Sequence, residues 1–135
     1  MDRIAFALVF SLLLAAVPGA VRSAEPVAVP MDADGVQRLH VLGGSYFFRP
    51  DRLQVKVNVP VELLVSKEPG LVPHTFVLKI PDQDIDIERD LSTEPGPVRF
   101  TIHKAGRYDF YCRNRLLFFQ SHRDKGMAGV IEAVE

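Results

Sequence analysis

Four side chains in the second half of this 135-residue chain are suited to one task. Cys112 is followed after nine intervening residues by His122, and after four more by Met127. His74 stands upstream, in Val72-Pro73-His74-Thr75-Phe76. A thiolate and two imidazoles in a trigonal plane, with a weak axial thioether, suit copper in both oxidation states. Neither state gets its preferred geometry, so little must rearrange when an electron moves. Hard cations are poor candidates, because no cluster of carboxylates accompanies the motif. Zinc would accept the two imidazoles and the thiolate but has little use for a methionine. The set points to one copper ion per chain, held by His74, Cys112, His122 and Met127.

Taken singly, each residue has a plainer reading. Cys112 is the sole cysteine, and a free cysteine is often a small buried hydrophobe. Met127 alone would pass as core packing. The order of all four is what favours ligation. Two other histidines precede Cys112: His40 lies inside an alternating apolar run and His103 beside Lys104 near a turn. Both read as structural or surface residues.

The N-terminus bears on the cysteine. Met1-Asp2-Arg3 is a short charged start, residues 4–17 are apolar apart from Ser11, and Pro18-Gly19 breaks the run before Ala20-Val21-Arg22-Ser23. That order is a secretory signal peptide, residues 1–23, cleaved after Ser23. The 14-residue run falls short of the roughly 20 residues that span a bilayer. The alternative is an uncleaved anchor. Export, with the periplasm as the expected destination, places Cys112 in an oxidising compartment with no internal disulfide partner. A lone thiol there calls for burial or a bound metal.

The elements that must position these residues are strands. Residues 24–34 are rich in Pro and Ala and read as a loose arm before a single domain, 35–135. Residues 36–42, 53–59, 61–66, 75–80, 98–102, 108–111 and 130–134 alternate or run apolar between turn residues. The acidic stretch 82–94 reads as a loop or a short helix. About seven short strands without a strong helix predict an all-β, Greek-key antiparallel β-sandwich. Cys112 then sits at a strand end. His122 and Met127 share the loop before the last strand, and His74 arrives from another loop.

The chain is similar to the cupredoxins, small type 1 copper proteins, along most of residues 35–135. Residues 48–55 (Phe-Arg-Pro-Asp-Arg-Leu-Gln-Val) resemble the family's second-strand pattern. His74 before an apolar strand resembles its upstream ligand, and Phe100 through Gly106-Arg107-Tyr108-Asp109-Phe110-Tyr111-Cys112 resembles the approach to its thiolate. His122 and Gly126-Met127-Ala128-Gly129 resemble its downstream histidine and axial methionine. The resemblance implies a cupredoxin-like sandwich, single-electron transfer to a redox partner protein, and His122 as the electron port. Copper carriage or storage is the alternative. The chain departs from the family in its longer Cys-to-His loop, in Thr75 where an Asn is frequent, and in Pro60 where a turn Gly is common. The partner of the thiolate's hydrogen bond is therefore unassigned.

Sixteen Lys and Arg face seventeen Asp and Glu, and removing residues 1–23 takes away Arg3, Arg22 and Asp2. The remainder, 14 against 16, is near neutral, and no basic stripe with interleaved aromatics suggests nucleic acid. Charge is uneven along the chain. Asp82, Asp84, Asp86, Glu88, Asp90 and Glu94 are opposed locally by Arg89 alone, whereas residues 99–125 hold seven Lys and Arg against Asp109 and Asp124. The plain reading is a solvated surface on a monomer; the sharper one is a dipolar molecule whose basic copper end meets an acidic partner. Leu116-Leu117-Phe118-Phe119, inside the Cys112–His122 loop, is expected to roof the metal and fill core, or to form an apolar docking patch. No open ligand position or general base is evident, so no catalytic turnover is expected.

Overall fold

The computed structural model describes residues 24–135. The expectation of a signal peptide falls on residues 1–23, outside the described residues. Ten strands follow in chain order: β1 (Val27–Ala28), β2 (Gln37–Gly44), β3 (Phe47–Arg49), β4 (Arg52–Lys56), β5 (Val61–Lys67), β6 (Thr75–Ile80), β7 (Ile85–Asp90), β8 (Gly96–Phe100), β9 (Gly106–Tyr111) and β10 (Ala128–Val134). They form a six-stranded sheet, β1-β4-β10-β9-β6-β7, and a four-stranded sheet, β3-β2-β5-β8. No helix among the described residues is long and apolar enough to cross a membrane.

The expected all-β sandwich is what forms, though its sheets are mixed. β1 with β4, β4 with β10, and β2 with β5 are parallel pairs. The chain passes repeatedly from one sheet to the other, so strands distant in sequence become neighbours running the same way. Local alternation does not carry that information.

Three expectations are corrected. Residues 24–34 are tied down rather than loose: β1 pairs with β4, the Val29 N–H donates to Gln54, and Arg52 donates to the Ala24 carbonyl. The strand expected at 53–59 is β4, Arg52–Lys56, and the stretch 48–55 spans two sheets. Pro50 separates β3 in one sheet from β4 in the other, because proline has no N–H to continue a ladder. The acidic stretch contains β7, which pairs residue for residue with β6. β7 is an edge strand of charged residues around Ile85 and Ile87, and such edges discourage pairing with another chain.

The core lies between the sheets. Leu53, Val55, Leu63, Phe76, Leu78, Phe110 and Ile131 are buried, each worth about 1.5–3 kcal/mol relative to exposure. Phe48, Phe76 and Phe110 meet at its centre, with ring centroids 5.3–6.0 Å apart. Side chains two apart on a strand share a face, so Phe76 and Phe110 lie one step inward from His74 and Cys112. Gln37 is a buried polar tie across the layers. Its amide donates to the carbonyls of Lys56 and Val59 and accepts from the Lys56 N–H at 2.8 Å.

Candidate metal centre

Strand pairing brings the four residues to one end of the larger sheet. His74 precedes β6, Cys112 follows β9, and Met127 precedes β10. β9 pairs antiparallel with both neighbours, Tyr111 lying opposite Val77 and Ala128. The start of β6, the end of β9 and the start of β10 therefore adjoin. Backbone bonds then fix the loop: the Cys112 N–H donates to the Met127 carbonyl at 3.0 Å, and the Met127 N–H to the His122 carbonyl at 2.9 Å.

His74, Cys112 and His122 present donor atoms to one another. The two Nδ1 atoms are 3.1 Å apart, and Cys112 Sγ lies 3.9 Å from that of His74 and 3.5 Å from that of His122. A point equidistant from these atoms is about 2 Å from each, close to the roughly 2.0–2.3 Å of bonds from zinc, another first-row ion, to imidazole and thiolate. Cys112 and Met127 are wholly buried, with His74 and His122 nearly so. The Met127 methyl group packs at Gly43, where an added β-carbon would stand 3.1 Å from it and 2.9 Å from Leu91 Cδ1. The donor set and its spacing fit a type 1 copper site and one copper ion.

Burial, aided by the neighbouring His122, pushes the pKa of His74 down to about 4. Burial and the Lys125 ammonium push that of His122 down as well. Both imidazoles are thereby kept neutral near pH 7 and present lone pairs, as metal ligation requires. His40 and His103 stand outside the cluster: the first bonds Ser66 Oγ at 2.6 Å and the second Asn58 Oδ1 at 2.9 Å.

Sequence reasoning missed the groups around the sulfur. The Thr75 N–H points at Cys112 Sγ from 3.4 Å, and Asn114 Oδ1 lies 3.3 Å from the same sulfur. Asn114 Oδ1 also accepts from Thr75 Oγ1 at 2.6 Å, and its carbonyl accepts the His122 N–H at 2.8 Å. The available signal was a lone amide two residues beyond the cysteine.

The outer side of His122 meets Tyr46 edge to face, with centroids 5.1 Å apart. A cavity of about 320 Å³ opens beside it, bounded by Tyr46, Leu71, Val72, Pro73, Leu116 and Phe119. Leu116 to Phe119 do not fill core. They are exposed at the tip of a tight turn in which the Phe119 N–H bonds the Leu116 carbonyl and Leu117 has a φ of 47°. The turn is closed at its base by the Arg115–Ser121 bridge and the His122–Asn114 bond, which hold it away from the core.

No family model matches the chain, and no curated protein does. Solved structures do. The metal-binding domain of the Cu(I)-exporting P-type ATPase CopA of Streptococcus pneumoniae D39, with Cu(I), aligns at TM-score 0.62 and 19% identity over 84% of this chain and all of that one. Auracyanin from Roseiflexus castenholzii aligns at 0.58 and 13% over 73% and 97%. The blue copper protein auracyanin A of Chloroflexus aurantiacus aligns at 0.56 and 18% over 74% and 100%. The fold is cupredoxin-like.

Proposed function

We propose that this chain is an exported, periplasmic copper protein that passes single electrons between redox partners. The observation that carries the reading is the convergence of two neutral imidazole Nδ1 atoms and the sole thiol on one buried point. His74, Cys112, His122 and Met127 would hold the ion. Copper bound there would supply a one-electron couple. The protein's own part is to hold the donors still and dry. Three of the four residues abut paired strand ends, and the phenylalanine layer beneath limits rearrangement. Tyr46 packs edge to face on His122, and His122 would be the electron port. The reading includes no catalytic turnover.

The test is a visible spectrum and redox cycle of the copper-loaded protein. An intense thiolate-to-copper band that bleaches on reduction and returns on oxidation is expected, and Cys112→Ser removes it. Two solved relatives of the fold support a second reading: a metal-binding domain of a Cu(I)-exporting ATPase and a structure described as a copper binding protein in the apo form. Under that reading the same donors carry Cu(I) to another protein. Binding of Cu(I) alone, with rapid transfer to a chelator and no reversible band, would select carriage over electron transfer.

A further inference from the structure

The tip at 116–119 is left uncovered by the rest of the fold. Phe118 is fully exposed and Leu117 is 76% exposed, at the crest of the turn. Leu116 and Phe119 flank them, and Leu71 and Val72 add exposed apolar surface from the neighbouring loop. Consecutive side chains around a tight turn diverge. A protein socket would need a separate pocket for each, whereas a fluid acyl phase accepts them together. The same loop is rich in cations: residues 113–125 carry Arg113, Arg115, Arg123 and Lys125 against Asp124, and Arg115 and Lys125 line the cavity beside Leu116 and Phe119.

Arg113 makes a close ion pair, and Arg115 and Arg123 are only loosely engaged. Arg113 pairs with Glu88 on β7, Arg115 lies 3.8 Å from Asp124, and Arg123 lies 3.7 Å from Asp109 on β9. All three arginine side chains are about half exposed. Such surface pairs add little stability, so exchange for lipid phosphate is cheap. Arg123 and Lys125 also lie over the rings of Tyr111 and Tyr46, and tyrosine favours the membrane interface.

We propose that this tip seats the protein on an anionic bilayer. Leu117 and Phe118 enter the head-group and upper acyl region, and Arg113, Arg115, Arg123 and Lys125 contact lipid phosphates. Asn114 and His122 close the base of the tip, so seating holds the metal-site end at the membrane surface and confines encounters to partners there. The proposal does not depend on whether the ion, once bound, is oxidised or handed over.

The chain contains no tryptophan, so Phe118→Trp introduces a single indole at a site without packing constraints. Residues 24–135, which contain every strand and the core, are mixed with phosphatidylcholine vesicles, with or without about one quarter phosphatidylglycerol. The metal-free and copper-loaded forms are both used. The expected result is blue-shifted emission, quenched by acyl-brominated lipid, and affinity about tenfold higher for the anionic vesicles that falls as salt is raised. Leu117→Ser/Phe118→Ser should lose at least about tenfold in vesicle co-sedimentation while keeping its melting temperature. An unshifted indole with both vesicle types overturns the proposal. Unchanged sedimentation of the double variant overturns it too.

Discussion

The side chain of Asn114 reaches back to within 3.3 Å of the Cys112 sulfur. A thiol can donate to Oδ1 there, but a metal-bound thiolate cannot. An amide's O and N are assigned from their partners. Turned about its last torsion, Asn114 donates through Nδ2 to the sulfur and to Thr75 Oγ1, whose own proton points to Asp90 Oδ1, 3.3 Å away. Donors to a thiolate favour the reduced ion. Asn114→Ala should lower the potential by on the order of 50 mV, about 1 kcal/mol for a one-electron couple. Asn114→Asp, which places a carboxylate there, should lower it further. Voltammetry of the copper-loaded protein is the measurement, and an unchanged potential would show that the amide leaves the sulfur alone.

Gly43 controls the room available to Met127. A methyl group there would meet two flexible ends, Leu91 Cδ1 and Met127 Cε. Flexible ends can move, so Gly43→Ala should cost no more than about 1–2 kcal/mol in denaturant unfolding. The displaced thioether should nevertheless shift the visible band and the potential. A variant with a clear loss of stability and an unaltered spectrum would mean that Leu91 gives way and Met127 does not.

Gln37 ties strand β2 to the end of β4 and to the turn beyond it. Gln37→Ala would leave the part-buried Lys56 N–H and two carbonyls without the amide's bonds. Leaving such groups unpaired costs about 1–3 kcal/mol. Gln37→Leu should fare little better, since the apolar side chain satisfies none of the three. Melting temperatures of both variants test this. The copper spectrum should not change, because the residue lies far from the strand ends that carry the cluster.

The site residues were legible because their types and order are unusual together: one thiol, a nearby downstream histidine and methionine, and a histidine opening an apolar strand. Their convergence on one ion was expected from the ligand set and the loop positions; that it comes from β9 lying between β6 and β10 in one sheet was not. Strand β7 was hidden because only Ile85 and Ile87 alternate, in a run that is otherwise charged. The parallel pairs were hidden because pairing across the sandwich leaves no local trace. Leu116 to Phe119 left two readings open, core filling and an exposed patch, and the local pattern could not choose between them. Four large apolar residues in a row suggest burial, yet a left-handed residue at Leu117 and a closed base turn them outward. Asn114 carried no pattern at all, and only the fold of its loop aims it at the sulfur.

The buried imidazoles also set how the metal-free protein responds to acid. An unfolded histidine takes up a proton near pH 6.5, whereas folded His74 resists until about pH 4. Between those values the unfolded state binds more protons, so stability falls as pH falls. His122, also shifted down, acts in the same direction. The slope should not exceed about 1.4 kcal/mol per pH unit for each imidazole. Carboxylates act lower: Arg38 holds Asp34, Arg99 holds Glu62 and Ser121 holds Asp124 below the ordinary range, so their contributions fade only below about pH 4. Urea unfolding of the metal-free protein from pH 7 to pH 4.5 should show the decline, and His74→Gln/His122→Gln should flatten it. An equally steep decline in that double variant would place the titrating groups elsewhere. Copper should delay the decline in the parent, because protons must first displace the ion from both nitrogens.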